Sequence, residues 1–362
     1  MRVRIGGIGL IILGVVSGLA LLVAVTPMGR YLARGVYEEG RILWRRRAIA
    51  SIISDSGTPA AVRAKLALVL DARRFAVDSL GLPAKGAFTK FTQLDHDTLV
   101  LVLSAAYRDR LEPVTWWFPV VGRVPYKGFF GFDDARRAEQ ALLDAGFDSY
   151  LRPSPAFSTL GFFNDPLLST TLHEDSLEIV NTVIHELTHN RYYASGRAVF
   201  NESFASFVGA RGAERFFLAR GDTARARRVS DRWQDDLLLG AVWERAFRSL
   251  DSAFRAHPDA ATLRQSAPPS PVAAGDTARA ARLTARDTVY ARTRRLLTDS
   301  IAPHLRTIDP GFATRVRLDN AALLARRIYS TGLDGFEAVW EREGHDVRRA
   351  LEAIITANRN AP

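Results

Sequence analysis

The chain of 362 residues contains no cysteine. That absence excludes disulfide frameworks, thiolate zinc fingers, iron–sulfur clusters and cysteine nucleophiles together. Any bound metal must be held by carboxylates and by the seven histidines. Lysine is scarce too, with Lys65, Lys85, Lys90 and Lys127 the only four among 49 basic residues. The other cations are arginines dispersed among alanines, such as Arg225, Arg227, Arg279 and Arg282, so the net charge of +10 forms no single stripe. With no zinc finger, no RNP-type aromatic motif and no long basic tail, nucleic acid is not an expected partner. What is abundant is ordinary globular material: 47% hydrophobic and 24% charged residues, enough for a sizeable core and incompatible with wholesale disorder.

One uncharged run stands apart. Ile5 to Val25 spans 21 positions behind Arg2 and Arg4, the length that crosses a bilayer core. It is longer than a secretory h-region and lacks an A-x-A site, so an uncleaved single-pass anchor in membrane lipid is expected over residues 1–27. The arginines that follow (Arg30, Arg34, Arg41, Arg45, Arg46 and Arg47) argue for a cytoplasmic body. The missing thiols and the short leading segment favour a periplasmic, extracytoplasmic one, and orientation stays open between them.

Beyond the run, the spacing predicts a predominantly helical α+β protein. Arg41 to Leu80 reads as helix closed by Gly81 and Pro83, Leu99 to Ala105 as a buried strand, and Trp116 to Phe132 as short strands and turns. A helix capped by Asp133 or Asp134 should cover Asp133 to Ala145, and Ala156 to Phe163 should form an edge strand. The organisation expected is a juxtamembrane helical segment with the first strand over 28–110, a catalytic core over 111–220, and a helical region over 221–362. A Pro/Ala-rich linker near 264–275 interrupts that last region. The hexapeptide GDTARA, at Gly221 and again at Gly275, is read as two Asp-capped helix starts.

The chemistry-bearing motif is His185-Glu186-Leu187-Thr188-His189, an H-E-x-x-H pattern. Leu177, Val180, Ile184 and Leu187 form a helical apolar stripe, and Asp175 or Ser176 can cap its start. On such a helix His185 and His189 lie one turn apart on one face and can share one zinc ion, while Glu186 can take a proton from zinc-bound water. A third ligand is required. Twelve residues beyond His189 begins the segment Asn201-Glu202-Ser203-Phe204-Ala205-Ser206, which carries Glu202. In the first turn of a second helix it could point at the metal, and Ala205, Ser206 and Gly209 would let the two helices approach. The alternative is a helix-start carboxylate answering the dipole. Tyr192 or Tyr193 could donate to the transition-state oxygen, and the strand bearing Phe157, Ser158, Thr159, Leu160 and Gly161 could bind an extended peptide at its edge.

HELTHN followed by FNESFASFV resembles the gluzincin arrangement, H-E-x-x-H and then a helix carrying N-E-x-x-A. More closely, five blocks resemble the bacterial predicted-aminopeptidase family of membrane-associated proteins. They are RRFAVDSLGLP from Arg73, FPVVGRVPYKGFF from Phe118, AFSTLGFFNDPLLST from Ala156, IHELTHNRYYASGRAVFNESFASFV from Ile184 and RLDNAALL from Arg317. The resemblance implies a zincin-like core, His185, His189 and Glu202 as zinc ligands, Glu186 as the catalytic base and a peptide substrate. Three departures stand out: no lipobox cysteine follows the apolar run, Arg197 replaces an acidic residue before FNE, and the acidic G-x-M-E-N amine-binding motif is missing. The expected function is zinc-dependent peptide hydrolysis. The alternative is a catalytically silent, membrane-associated peptide-binding scaffold, against which the intact Glu186 argues.

Overall fold

The computed structural model describes residues 25–95, 100–118, 122–154, 166–257 and 277–360, together with residues 14 and 18. The expected anchor, the edge strand of 156–163 and the linker of 264–275 therefore lie almost wholly outside the described residues. Among those described, no helix is long and apolar enough to cross a membrane. The protein is predominantly helical α+β with three small sheets.

The single helix expected over Arg41 to Leu80 is instead a series of pieces: α1 (Pro27–Trp44), β1 (Arg47–Ala48), α2 (Ile49–Ser54) and α3 (Ala60–Asp78). Gly57 N donates to Asp55 Oδ1, making a turn, and Pro59 sits at the N-cap of α3. Proline excludes a continuing helix upstream because it disfavours helical geometry at the residue before it. Strands β2 (Lys90–Thr92), β3 (Val100–Ala106), β4 (Trp116–Phe118), β5 (Gly122–Val124) and β6 (Tyr126–Phe129) follow. Helix α4 (Phe132–Asp144) is capped by Gly131, with Asp133 and Asp134 in its first turn and not at the cap. Then come β7 (Asp148–Ser154), which the sequence pattern did not announce, and β8 (Leu167–Leu168).

The remainder is helical: α5 (Ser176–Arg191), α6 (Ala198–Leu218), α7 (Thr223–Arg255), α8 (Thr277–Arg295), α9 (Phe312–Arg315), α10 (Asn320–Ser330), α11 (Leu333–Arg342) and α12 (Val347–Arg359). Asp222 caps α7 through Arg225 N, as the first GDTARA hexapeptide predicts.

The sheet that matters for function is β6-β3-β7, antiparallel throughout. Its register sets Tyr126, Ser104 and Tyr150 in one row and Gly128, Val102 and Arg152 in the next. Because side chains alternate along a strand, these six positions share one face. The opposite face carries Leu101, Leu103 and Leu151, which pack with Ala135 and Leu142 of α4. Beside the sheet, the main core joins α3, α5, α6, α7 and α12, with Leu66, Ile184, Leu187, Phe207, Trp233 and Leu351 all at or near zero exposure.

Candidate metal centre

Helix α5 forms where its capping chemistry starts it. Asp175 Oδ1 accepts from Leu177 N and Glu178 N, each at 2.9 Å, satisfying two of the donors that a helix start leaves free. The stripe of Leu177, Val180, Ile184 and Leu187 is fully buried, which fixes the rotation of the helix and turns His185, Glu186 and His189 away from the core. Glu186 is exposed, and His185 and His189 are half-buried.

The second helix starts earlier than expected. Its first residue is Ala198, so Glu202 is the fifth residue of α6 and lies past the first turn. A dipole effect fades within that turn, so the helix-start account of Glu202 loses its footing. Next to it, Asn201 is 1% exposed; its Oδ1 accepts from Ala194 N and its Nδ2 donates to Ala194 O, both at 2.8 Å. This two-bond clasp closes the return loop between α5 and α6. The two helices then approach at Gly209 and Gly212. A Cβ on Gly209 would stand 3.1 Å from Asn181 O and 3.2 Å from His185 Cβ, and one on Gly212 would stand 2.9 Å from Ile184 Cγ2. Only glycine permits that spacing.

The result is a convergence of three donors. His185 Nε2 lies 3.3 Å from Glu202 Oε2, and His189 Nε2 lies 3.6 Å from Glu202 Oε1. One ligand atom from each residue falls within 4.8 Å of the others, the one group among the described residues that could hold a metal ion. Two donors each about 2.0–2.2 Å from a common tetrahedral ion stand about 3.3–3.6 Å apart, so the observed separations fit. The donor types fit as well, since two imidazoles and a carboxylate form a set that zinc accepts.

Electrostatics agree with the proximity. Burial alone would raise the Glu202 carboxyl, but hydrogen bonds from His185 and His189, and their charge, outweigh it and hold it at about 2. His189 is moved the other way: burial lowers it, while the Glu202 hydrogen bond and the Glu202 and Glu186 charges raise it on balance. His189 Nδ1 is buried without a hydrogen-bond partner among the described residues, so the ring is oriented by Glu202 and by Tyr193, whose ring centroid is 6.1 Å away.

The two tyrosines singled out in the sequence part company. Tyr193 is 60% exposed and edges onto His189. Tyr192 is engaged elsewhere, its hydroxyl accepting from Asn358 Nδ2 at 2.7 Å and its ring packing on Phe200. Phe157, Ser158, Thr159, Leu160 and Gly161 fall outside the described residues.

Three side chains that no motif marks join the centre. Tyr329, near the end of α10, has its ring 6.5 Å from that of His185. Its position is tied to Glu202 through the adjacent residue: Ser203 Oγ donates to Ile328 O at 3.2 Å and accepts from Thr331 N at 3.0 Å. Desolvation raises the Tyr329 phenol, Glu202 and Glu186 add to that, and the charge and hydrogen bond of Arg152 oppose it. Tyr126 of β6 is raised by desolvation, Glu202 and Tyr193, with Arg152 again pulling the other way. Arg152 and Tyr126 share the sheet face described above.

A helical α+β fold thus brings His185, His189 and Glu202 together beside the exposed Glu186. A family model described as "Putative aminopeptidase" matches residues 30–360, and the chain belongs to that family. No curated protein and no solved structure matches it.

Proposed function

We propose that the protein is a zinc-dependent metallopeptidase of gluzincin type acting as an aminopeptidase, anchored in the membrane through residues 5–25 with its body on the extracytoplasmic side. The observation that carries the catalytic part is the meeting of His185 and His189 with Glu202 from the next helix, with exposed Glu186 one residue from the first ligand. Membership of the aminopeptidase family supports the reaction type. The packing of α5 against α6, which brings the H-E-x-x-H helix to the helix of Glu202 in an α+β fold, supports a zincin-like core. The anchor is supported by the uncharged run and by α1, which follows it with Val36 at 75% and Trp44 at 90% exposure ahead of Arg45, Arg46 and Arg47, a pairing suited to a lipid–water boundary.

His185, His189 and Glu202 would hold the ion, which when bound supplies Lewis-acid polarisation of the scissile carbonyl and acidifies water. Glu186 takes the proton of the attacking water and returns it to the leaving amine; among the described residues it accepts no hydrogen bond, so its carboxylate is available. Tyr193 and Tyr329 flank the histidines with phenol donors for the oxygen that gains charge. The test is to load the purified chain with zinc and profile it against a mixed peptide library beside Glu186→Gln. Wild type should cleave, and the variant should keep its zinc while turnover falls by about 10²–10⁴-fold. Absence of cleavage by the zinc-loaded wild type, or full activity in the variant, refutes the reading.

A further inference from the structure

Large apolar side chains at the surface are not spread evenly over this protein. Of fourteen exposed ones among the described residues, five (Val25, Leu32, Val36, Tyr37 and Trp44) lie in α1 or directly ahead of it. Helical spacing sorts them. Leu32, Val36, Gly40 and Leu43 form one stripe, and Ala33, Tyr37 and Trp44 the stripe beside it, so a broad sector of α1 carries no charge. The next stripe round is Arg30, Arg34, Arg41 and Arg45. The opposite side of α1 faces the body. Tyr31 packs on Phe118 and Phe129, with ring centroids 5.7 and 6.4 Å away. Glu38 and Ile42 are buried, and Ile42 O accepts from Thr92 Oγ1 at 2.9 Å. This packing fixes α1 on the body with its uncharged sector turned outward.

The arginine stripe is held in place without being neutralised. Glu38 pairs with Arg34 at 2.6 Å and with Arg41 at 2.8 Å, and Asp95 pairs with Arg45 at 2.9 Å. The Arg34 and Arg45 side chains still keep 60% and 45% of their surface in solvent. Over residues 27–47, six arginines stand against two glutamates. Nor does α1 simply continue the uncharged run before it. Thr26 is extended, with ψ of 140°, its hydroxyl accepts from Gly29 N at 3.0 Å, and Pro27 is the first helical residue. An extended cap followed by proline starts a new helix in a new direction, so the chain turns where the uncharged run ends.

We propose that α1 is a second membrane-binding element, lying in the plane of an anionic lipid surface. Leu32, Val36, Leu43 and Trp44 enter the boundary between headgroups and acyl chains, and the arginine stripe meets the lipid phosphates. Tyr37 and Trp44, each an apolar ring with a polar edge, suit that layer, and the arginine fork matches phosphate oxygens. Two observations select lipid as the occupant. The uncharged sector adjoins the uncharged run directly, and its border is basic. The turn at Thr26 and Pro27 is what a chain needs to leave a spanning segment and lie flat. Because α1 is packed on the body, this contact also sets how the whole protein sits on the bilayer. The proposal rests on the anchored reading for the presence of a membrane, but the contact itself does not require the run to span.

The chain has no cysteine, so one introduced cysteine carries one spin label. Full-length Leu32→Cys, Val36→Cys, Gly40→Cys and Leu43→Cys proteins are labelled and reconstituted into vesicles of phosphatidylcholine and phosphatidylglycerol in equal amounts. Label depth is read from collisions with oxygen and with a water-soluble nickel complex. Arg255→Cys, at an exposed position on α7, gives the solvent reference, and Gly14→Cys reports on the run. The four α1 labels should share one depth, about 5–10 Å below the headgroup surface. They should move toward water in vesicles of phosphatidylcholine alone, and likewise when Arg30→Gln and Arg34→Gln are added. Four results overturn the proposal: labels as open to nickel as the reference, a depth changing by about 16 Å from 32 to 43 as in a helix along the bilayer normal, spin–spin broadening from a second copy on this face, or depths indifferent to the anionic lipid. A Gly14 label as open to nickel as the reference would refute the spanning anchor, while the α1 depths are still measured.

Discussion

Gly209→Ala is a sensitive probe of the proposed centre because it leaves His185, His189 and Glu202 unchanged. The new Cβ would stand 2.5 Å from Asn181 Oδ1, 3.1 Å from Asn181 O and 3.2 Å from His185 Cβ. The side-chain oxygen can rotate away, but the backbone oxygen and the His185 Cβ belong to α5 itself. Restoring ordinary contact at about 3.5 Å requires the helices to part by about 0.3–0.4 Å. Overpacking of this kind costs about 1–3 kcal/mol. The gain from alanine in a helix interior returns about 0.5–1 kcal/mol, leaving a net loss of about 0–2.5 kcal/mol. The parting also displaces Glu202 from His185 by more than the roughly 0.2 Å that a metal site tolerates, so zinc affinity should drop about tenfold or more. Denaturant unfolding and a zinc competition titration read the two effects. Gly335→Ala, with nothing within 4 Å of its added Cβ, serves as the control and should be neutral or slightly stabilising. A Gly209→Ala protein that is as stable as the parent and holds zinc equally well would refute the close-seam argument.

Glu202→Ala should lose zinc on mild chelation and lose turnover while staying folded, because the carboxylate sits beyond the helix's first turn and faces both histidines; full metal occupancy in the variant contradicts this. In the metal-free protein, the Glu202 carboxyl held at about 2 contributes stability that is fully present above its ordinary value near 4.5 and is lost as pH falls toward 2. The raised His189 contributes stability below about 6.5 that is lost as pH rises through its folded value. The Glu202 contribution is of the order of 3 kcal/mol, so Glu202→Gln should flatten the acid limb of a stability–pH curve, and an unchanged limb sinks the assignment.

The legible parts of the site were the ones made by neighbours in sequence. H-E-x-x-H, its apolar stripe and the Asp175 cap all act within one helix, so local spacing carries them. The 41–80 segment misled because helical periodicity persists on both sides of Asp55 to Pro59, while a single turn suffices to break the chain. Glu202 was found as a residue but set too near its helix start, since the Asn201 clasp onto Ala194 that organises the loop is a contact no periodicity records. Arg152, Tyr126 and Tyr329 were missed for a stronger reason. They lie on β7, β6 and α10, and their meeting depends on strand register and on Ser203 bridging to Ile328 and Thr331.

The Ser203 bridge has a temporal side. A ribosome delivers Tyr126 and Arg152 first, then the two histidines and Glu202, and Tyr329 only after more than a hundred further residues. The two histidines and Glu202 can therefore meet on a nascent chain well before α10 exists, whereas the Tyr329 phenol arrives more than a hundred residues later. A polypeptide that stops short of α10 would bring His185, His189 and Glu202 together without the Tyr329 side of the rim.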